Sequence, residues 1–177
     1  MAVTANTKVK RAQARASDTK KSSAPNSQDA IALLEADHRE VDSYFEQYEG
    51  LTDDADKKAL AGKICLALKV HTQIEEELFY PPARTATGDG DLLDEAVVEH
   101  MGAKTLIAQI EAMQPGQPLY DAKVKVLGEQ VRHHVKEEEE ELFPEVRETT
   151  IDLEALGAKL ADRKAELMAL LTPVSLA

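Results

Sequence analysis

Two stretches decide the fold of this chain, HTQIEEELFYP at residues 71–81 and HHVKEEEEELFP at residues 133–144. In the first stretch, His71 is followed by Glu75 four residues later and by Pro81 ten residues later. The second stretch repeats these three residue types at the same spacing, 63 positions further along the chain. Because residues four apart lie on one face of an α-helix, each histidine and its glutamate can reach a shared point. The repeat therefore indicates two similar helical hairpins that carry the same chemistry.

The sequence on either side of these stretches has helical periodicity. Apolar residues recur at steps of three and four, and no segment alternates long enough to predict a strand. Ser27 or Asp29 is the predicted N-cap of the first helix. The pair Pro81 and Pro82 is expected to stop the second helix, whereas Pro144 predicts an end or a kink in the fourth. The predicted helices cover about residues 30–49, 53–80, 91–112, 119–143 and 152–171.

Four long helices joined by short loops predict an all-α fold, an up-down-up-down four-helix bundle with an additional C-terminal helix. The bundle is expected to occupy residues 27–148, and the C-terminal helix, within residues 149–177, is expected to pack on its outside. Residues 1–26 contain six basic residues, one acidic residue and no aromatic residue. A segment of this composition cannot bury enough apolar surface to fold, so we expect a disordered basic tail.

Composition narrows the classes of function. A length of 177 residues fits one domain, and a net charge of −12 makes nucleic acid an unfavoured partner, since phosphate contacts need Lys and Arg. No apolar run is long enough for a membrane span or a secretory signal, so a cytoplasmic protein is expected. Cys65, the only cysteine, predicts a core residue and excludes a cysteine metal cluster. Apolar positions outside the core stripe leave room for a homodimer.

Four histidines occupy the apolar stripe of four different helices, where Leu or Ile would be ordinary. Two of them are followed one turn later by a core glutamate, and a buried carboxylate is costly unless it is paired or binds a cation. Six such ligands, split between two halves, fit two metal ions bridged by the two glutamates. Imidazole and carboxylate ligands without thiolate favour iron, with manganese, zinc or a mixed pair as alternatives. The predicted metal ligands are His38, His71, Glu75, His100, His134 and Glu138.

Other polar residues near these positions are interpreted more simply. His133 is turned about 100° away from His134 on the helix, so the apolar stripe selects His134 as the ligand. Tyr44 and Tyr48 follow His38 on the first helix, and the sequence leaves open whether either reaches the site. The remaining acids are expected to form a solvated face or to hydrogen-bond to the ligands, namely Glu76, Glu77, Glu137, Glu139, Glu140 and Glu141.

The motifs together resemble the hemerythrin-like, HHE cation-binding domain family. They are ADHREV around His38, HTQIEEELFYP from His71, VEHMGAK around His100 and HVKEEEEELFP from His134, and they span residues 28–148. The resemblance implies a four-helix bundle that holds a non-haem di-iron centre. It also implies that the four histidines are terminal ligands and that Glu75 and Glu138 bridge the two irons, in agreement with the spacing argument.

Two departures from the oxygen-carrying hemerythrins bear on function. Those proteins have a further histidine four residues after the third-helix ligand, where this chain has Lys104, which either extends to the surface or supplies charge beside a bound anion. Their last bridging acid is an aspartate five residues after its histidine, where this chain has Glu138 at four. The ligand count is then six instead of seven, which implies an open iron position.

An open position favours binding of, or reaction with, O2, peroxide or nitric oxide over simple oxygen carriage. We therefore expect a di-iron protein that binds or reacts with a small ligand. The sequence leaves open whether the protein is an enzyme, namely an oxygen- or peroxide-reactive oxidoreductase. The alternative function is an iron- or oxygen-sensing, or iron-storing, regulatory module without turnover, whose fold depends on metal.

Overall fold

The computed structural model of the chain describes Met1 and residues 29–172. Apart from Met1, the predicted tail at residues 1–26 lies outside the described residues, as does Ser27. Within residues 29–172 the regular structure is helical, and no strand is present. The elements are α1 (Ala30–Glu49), α2 (Asp54–Ile74), a first π segment (Glu75–Phe79), α3 (Tyr80–Thr87), α4 (Gly90–Glu111), α5 (Tyr120–Glu137), a second π segment (Glu138–Leu142), α6 (Phe143–Arg147) and α7 (Leu153–Leu171).

Four of the helices begin at an aspartate N-cap. Asp29, Asp53, Asp89 and Asp152 each accept a hydrogen bond from a backbone N–H in the first turn that follows. These bonds satisfy donors that have no partner within the helix, which fixes where each helix starts. Asp29 is therefore the cap of α1, one of the two residues that the sequence offered.

Two apolar clusters fill opposite ends of the bundle and define its topology. One cluster contains residues from the beginning of α1, the beginning of α4 and the end of α2. It also contains Leu142 of the second π segment, which directly continues α5. The other contains the end of α1 and α4 and the beginning of α2 and α5. Neighbouring helices therefore run in opposite directions, and the predicted up-down-up-down four-helix bundle is confirmed.

The prolines do not stop the helices. The sequence predicts a stop at Pro81 and Pro82, but the chain stays helical there and its backbone hydrogen bonds change from the α to the π pattern. The backbone N–H of Tyr80 donates to Glu75, and that of Phe143 donates to Glu138, both five residues back. Proline lacks an N–H and clashes with the preceding turn of an α-helix, and a wider π turn accommodates it. The first π segment joins α2 to α3 without a break, so this helix continues to Thr87. The second π segment joins α5 to α6, so that helix continues to Arg147. The connection before α4 is therefore shorter than predicted.

The C-terminal helix α7 packs against α1, α2 and the first π segment. Its Leu156, Leu160 and Leu167 join the apolar cluster that contains Val70 and Ile74 of α2. The predicted position of this helix outside the bundle is confirmed, and it covers one of the two halves. The division of the chain at residue 148 stays a prediction. None of the helices in residues 29–172 has the length and hydropathy needed to span a membrane.

Candidate metal centre

The six predicted ligands meet in the layer between the two apolar clusters. The imidazoles come from α1, α2, α4 and α5, and each carboxylate comes from the first residue of a π segment. No ligand is more than 7% exposed, so their polar atoms depend on one another rather than on water. The residues brought together are His38, His71, Glu75, His100, His134 and Glu138.

The imidazoles form two close pairs. The Nε2 atoms of His38 and His71 lie 3.1 Å apart, and those of His100 and His134 lie 3.0 Å apart. An Nε2 atom without a proton carries a lone pair, so two such atoms at this distance need a proton or a cation between or beside them. Each pair is therefore one half of a potential metal site.

Glu75 lies between the two pairs. Its Oε1 is 3.2 Å from Nε2 of His71, and its Oε2 is 3.5 Å from Nε2 of His100. One oxygen of Glu75 thus faces each pair of imidazoles.

Glu138 occupies the corresponding place on the other side. Its Oε2 is 3.3 Å from Nε2 of His38 and 3.5 Å from Nε2 of His134. Both glutamates therefore contact one imidazole of each pair, and the site has an approximate twofold arrangement.

Hydrogen bonding within the protein leaves this cluster incomplete. Both carboxylate oxygens of Glu75, Oε2 of Glu138 and Nδ1 of His71 are buried without a hydrogen-bond partner among the described residues. An unsatisfied buried polar atom costs roughly 1–3 kcal/mol, and more when it is charged. A cation held by these oxygens and by the four Nε2 atoms would satisfy them, so the residues fit a resident metal ion.

The pKa values of the buried histidines and glutamates show how strongly these groups interact. Burial alone would lower the pKa of His71, but the carboxylates of Glu75 and Asp37 outweigh it and raise that pKa to about 10. Burial would raise the pKa of Glu138, yet the imidazoles around it, His134 first, lower it to about 2. The pKa of His134 is also raised by Glu138 and Glu99 against the effect of burial, so protons on His71 and His134 supply positive charge in the protein alone, a role that metal cations can take over.

A carboxylate faces the outer nitrogen of each of the four histidines predicted as ligands. Such a partner favours the Nδ1–H tautomer and leaves the Nε2 lone pair for a metal. The distances from Nδ1 are 2.8 Å to Glu139 for His38, 2.9 Å to Glu76 for His100, 2.8 Å to Glu99 for His134, and a longer 3.6 Å to Asp37 for His71. The hydrogen bond from His134 also holds the pKa of Glu99 below its usual range.

The sequence gives only part of this outer arrangement. It treats Glu76 and Glu139 as a solvated face or as hydrogen-bonding partners, and the structure places both beside imidazoles. It does not identify Asp37 and Glu99. The available signal is their position, because each directly precedes a ligand histidine at equivalent places in the two halves.

Tyr80 is a further residue of the centre that sequence reasoning misses. Its hydroxyl donates to Oε1 of Glu138 at 2.9 Å and lies 3.3 Å from Nε2 of His100, and its ring stacks on that imidazole. The equivalent residue in the other half is Phe143, which stacks on His38. At this position the two halves therefore differ by one hydroxyl group.

The first-helix tyrosines point elsewhere. The hydroxyl of Tyr44 donates to Glu40, and that of Tyr48 donates to Asp121. Lys104 does extend to the surface, but its ammonium also contacts both carboxylate oxygens of Glu76, at 2.6 and 2.7 Å. Its charge is therefore linked to the centre only through Glu76.

A small cavity of about 30 Å³ adjoins the histidines. It is lined by the four ligand imidazoles and by apolar residues of the second cluster, including Val41, Leu68, Ala103 and Val131. This volume exceeds the roughly 10–15 Å³ that one water molecule needs, so the cavity has room for a molecule of two or three atoms.

Comparisons with known proteins agree with this geometry. The family described as hemerythrin HHE cation-binding domain matches residues 29–146. A curated relative, a DNA nickase of Nostoc sp. (strain PCC 7120 / SAG 25.82 / UTEX 2576), is 34% identical over 122 residues, which are 69% of this chain and 34% of that protein. The chain thus spans about a third of the length of that relative.

A solved structure gives the same fold. It is the crystal structure of a hemerythrin HHE cation-binding domain-containing protein from Mycobacterium kansasii, with a TM-score of 0.70 and 22% identity. The match covers 81% of this chain and 89% of that chain. Because the family match extends over most of the chain and includes both repeated stretches, this protein belongs to the hemerythrin HHE cation-binding domain family.

Proposed function

We propose that the six clustered residues hold two iron ions, with Glu75 and Glu138 as bridging carboxylates and the histidines as terminal ligands. The observation that carries this proposal is that each glutamate contacts one imidazole of both pairs. Imidazole and carboxylate ligands suit iron, and manganese and zinc are the alternative metals.

We further propose that the centre binds or reacts with O2, peroxide or nitric oxide. A bound iron pair would supply the redox chemistry. The protein would orient the ligand imidazoles through the outer carboxylates and admit only a small molecule through the cavity beside the histidines. The position four residues after His100 supports an open coordination site, because Lys104 pairs with Glu76 and offers no imidazole.

The alternative is a regulatory or iron-storing module without turnover. The buried, unpaired carboxylate oxygens favour metal-dependent stability, which such a module would use. A DNA-directed activity like that in the name of the Nostoc relative has less support. The match covers 34% of that protein, and a net charge of −12 disfavours contact with phosphates.

The first experiment counts metal. Protein loaded anaerobically with Fe(II) and desalted should retain two irons per chain, and Glu75→Ala or Glu138→Ala should lower that number. Glu140→Ala is the matched control, because Glu140 lies in the same π segment as Glu138 but is exposed. Retention of fewer than one metal ion per chain, for iron and for every other first-row metal tried, would exclude the di-iron centre.

The second experiment tests the small ligand. Loaded protein should change its absorption spectrum on addition of O2, peroxide or nitric oxide. Ala103→Leu, which fills the cavity, should slow that change and leave the iron content intact, whereas Ala108→Leu on the exposed face of α4 should alter neither. A loaded centre whose spectrum responds to none of the three molecules would favour the module without turnover.

A further inference from the structure

A second His and Glu cluster lies at the surface, outside the six ligands. It consists of Glu99 on α4 and of His133 and Glu137, one turn apart on α5. Nε2 of His133 is 3.3 Å from Oε1 of Glu137 and 3.6 Å from Oε1 of Glu99, and one ligand atom from each residue lies within 4.8 Å of the others. The His133 side chain is 61% exposed, so a hydrated cation can reach the cluster from solvent.

The cluster is connected to the buried centre. The second oxygen of Glu99 accepts the Nδ1 hydrogen bond of His134, a centre ligand. A narrow cavity of about 10 Å³ is lined by Glu99 and Glu137 and, further in, by His134 and Glu138. Glu138 is 2% exposed, and its Oε2 has no hydrogen-bond partner among the described residues. A buried, unsatisfied carboxylate thus adjoins the cavity behind the surface cluster.

The same region of the other half is closed. By the internal repeat, Glu99 corresponds to Asp37, His133 to Val70 and Glu137 to Ile74. Val70 and Ile74 are buried in the apolar cluster that includes Leu156, Leu160 and Leu167 of α7.

Asp37 in the closed half already has a cationic partner. The ammonium of Lys164 from α7 binds Oδ1 of Asp37, while Oδ2 faces His71. Glu99 is placed in the same way, with one oxygen on His134 and the other facing His133. The open half therefore offers an imidazole and a second carboxylate where the closed half has a lysine.

We propose that Glu99, His133 and Glu137 bind a divalent first-row transition metal ion, and that metal is loaded into the buried centre from this side. One imidazole and two carboxylates are ligands that such ions accept, and the remaining positions stay with water. The destination of the ion rests on the function proposed above, whereas the surface site can be measured by itself.

The test uses Mn(II) and Co(II). Mn(II) binds a given site less tightly than Fe(II), so it should leave an iron-loaded centre intact and report on the surface site. Free Mn(II), measured by its electron paramagnetic resonance signal during titration of iron-loaded protein, should show one further ion bound per chain. Metal-free protein mixed with Co(II) then gives the loading rate from the growth of cobalt absorption.

The variants are His133→Gln and Glu137→Gln. The control is Glu129→Gln, which removes the same charge as Glu137→Gln but from an exposed position of α5. The first two should lose the Mn(II) ion and load Co(II) more slowly than wild type, because the surface ligands no longer hold the ion beside the buried centre. Their final cobalt content should be lower than that of wild type by the one surface ion alone, because the six residues of the buried centre are unchanged. The control should bind Mn(II) and load Co(II) as wild type does.

The surface site would be excluded if wild type took up no further Mn(II) ion, or if the two variants took up as much Mn(II) as wild type. Loading from this side would be excluded if the variants and the control loaded Co(II) at equal rates. Failure of the function proposed above would look different. Wild-type protein would then keep no iron after desalting, whatever the Mn(II) titration gives.

Discussion

Tyr80 and Phe143 occupy equivalent places in the two halves, and their difference affects one ligand. The Tyr80 hydroxyl donates to Oε1 of Glu138, which fixes the carboxylate so that Oε2 faces His38 and His134. Phe143 can only stack on its imidazole. Tyr80 is thus a positioning residue on one side of the centre.

Tyr80→Phe should lower the affinity for metal by about 10- to 100-fold, the range usual for partners behind a metal ligand. The number of ions bound should not change, because all six ligands remain. Affinity is measured by competition with a chelator. Tyr120→Phe is the control, since that buried hydroxyl has no hydrogen-bond partner among the described residues and lies in the second apolar cluster. Equal losses in both variants would assign the effect to packing.

The sequence predicts the residues that meet at the centre better than it predicts what surrounds them. Histidines in an apolar stripe and a repeated spacing of four point to the centre from within a single helix. Glu76 approaches His100, and Glu139 approaches His38, across the bundle. Such partners depend on the rotation of one helix against another, which no local pattern specifies. Tyr80 escapes notice for the same reason.

At the scale of the helices, Gly128 permits close packing of α5 against α1. A Cβ atom at this position would lie 3.0 Å from Cδ1 and 3.2 Å from Cγ of Phe45. The ring therefore occupies the space that a side chain would fill.

Gly128→Ala should lower the free energy of unfolding by about 1 kcal/mol, because overpacking costs about 1–3 kcal/mol and better helix propensity returns about 1 kcal/mol. Gly62→Ala is the matched control on α2, where a Cβ atom meets nothing within 4 Å in the described part of the chain. That variant should gain about 0.5–1 kcal/mol. Urea unfolding measures both, and a gain at both sites would contradict the packing argument.

The attachment of α7 depends on Lys164 as well as on its leucines. Asp37 is 8% exposed, and Lys164 supplies the cation that its Oδ1 binds. Lys164→Met should therefore cost about 1–3 kcal/mol of unfolding free energy, the penalty for a buried acceptor left unpaired.

Arg163→Met is the comparison for Lys164→Met, because the ion pair of Arg163 with Glu77 lies at the surface and contributes little. Thermal or urea unfolding distinguishes the two variants. A larger loss for Arg163→Met than for Lys164→Met would show that the buried pair does not anchor α7.

The predicted helices agree closely with the structure at aspartate caps and less well at prolines. A cap is a local event between one side chain and the next turn, so the sequence narrows the cap of α1 to Ser27 or Asp29, and the structure has Asp29 there. The response to Pro81 and Pro82 is not local. The helix continues from α2 into α3 because π hydrogen bonding accommodates the two proline rings, and because α3 packs against α4 and α6.

For the whole molecule, metal and stability should be coupled. Glu75 and Glu138 are buried, and their oxygens without a hydrogen-bond partner among the described residues would be satisfied by a bound cation. A ligand at 100 times its dissociation constant adds about 2.7 kcal/mol to folding, which for a domain of this size raises Tm by at least about 5 °C. Anaerobic Fe(II) should therefore shift thermal unfolding by that amount or more.

Glu75→Ala is the control for this shift, because it removes a bridging ligand and should reduce the gain in Tm. Calorimetry with and without Fe(II) makes the comparison. Identical melting of wild type with and without iron would mean that the cluster is satisfied by protons alone.

The approximate twofold arrangement of the centre has a consequence for how the protein can change over time. Two hairpins with matching histidines and glutamates are what duplication and fusion of one ancestral hairpin would leave. In an assembly of two identical hairpins, every substitution acts twice. In the fused chain each half varies alone, and here the first hairpin has a hydroxyl at Tyr80 that the second lacks and is also covered by α7 on its α1 and α2 side. Fusion thus allows the two sides of one centre to diverge independently.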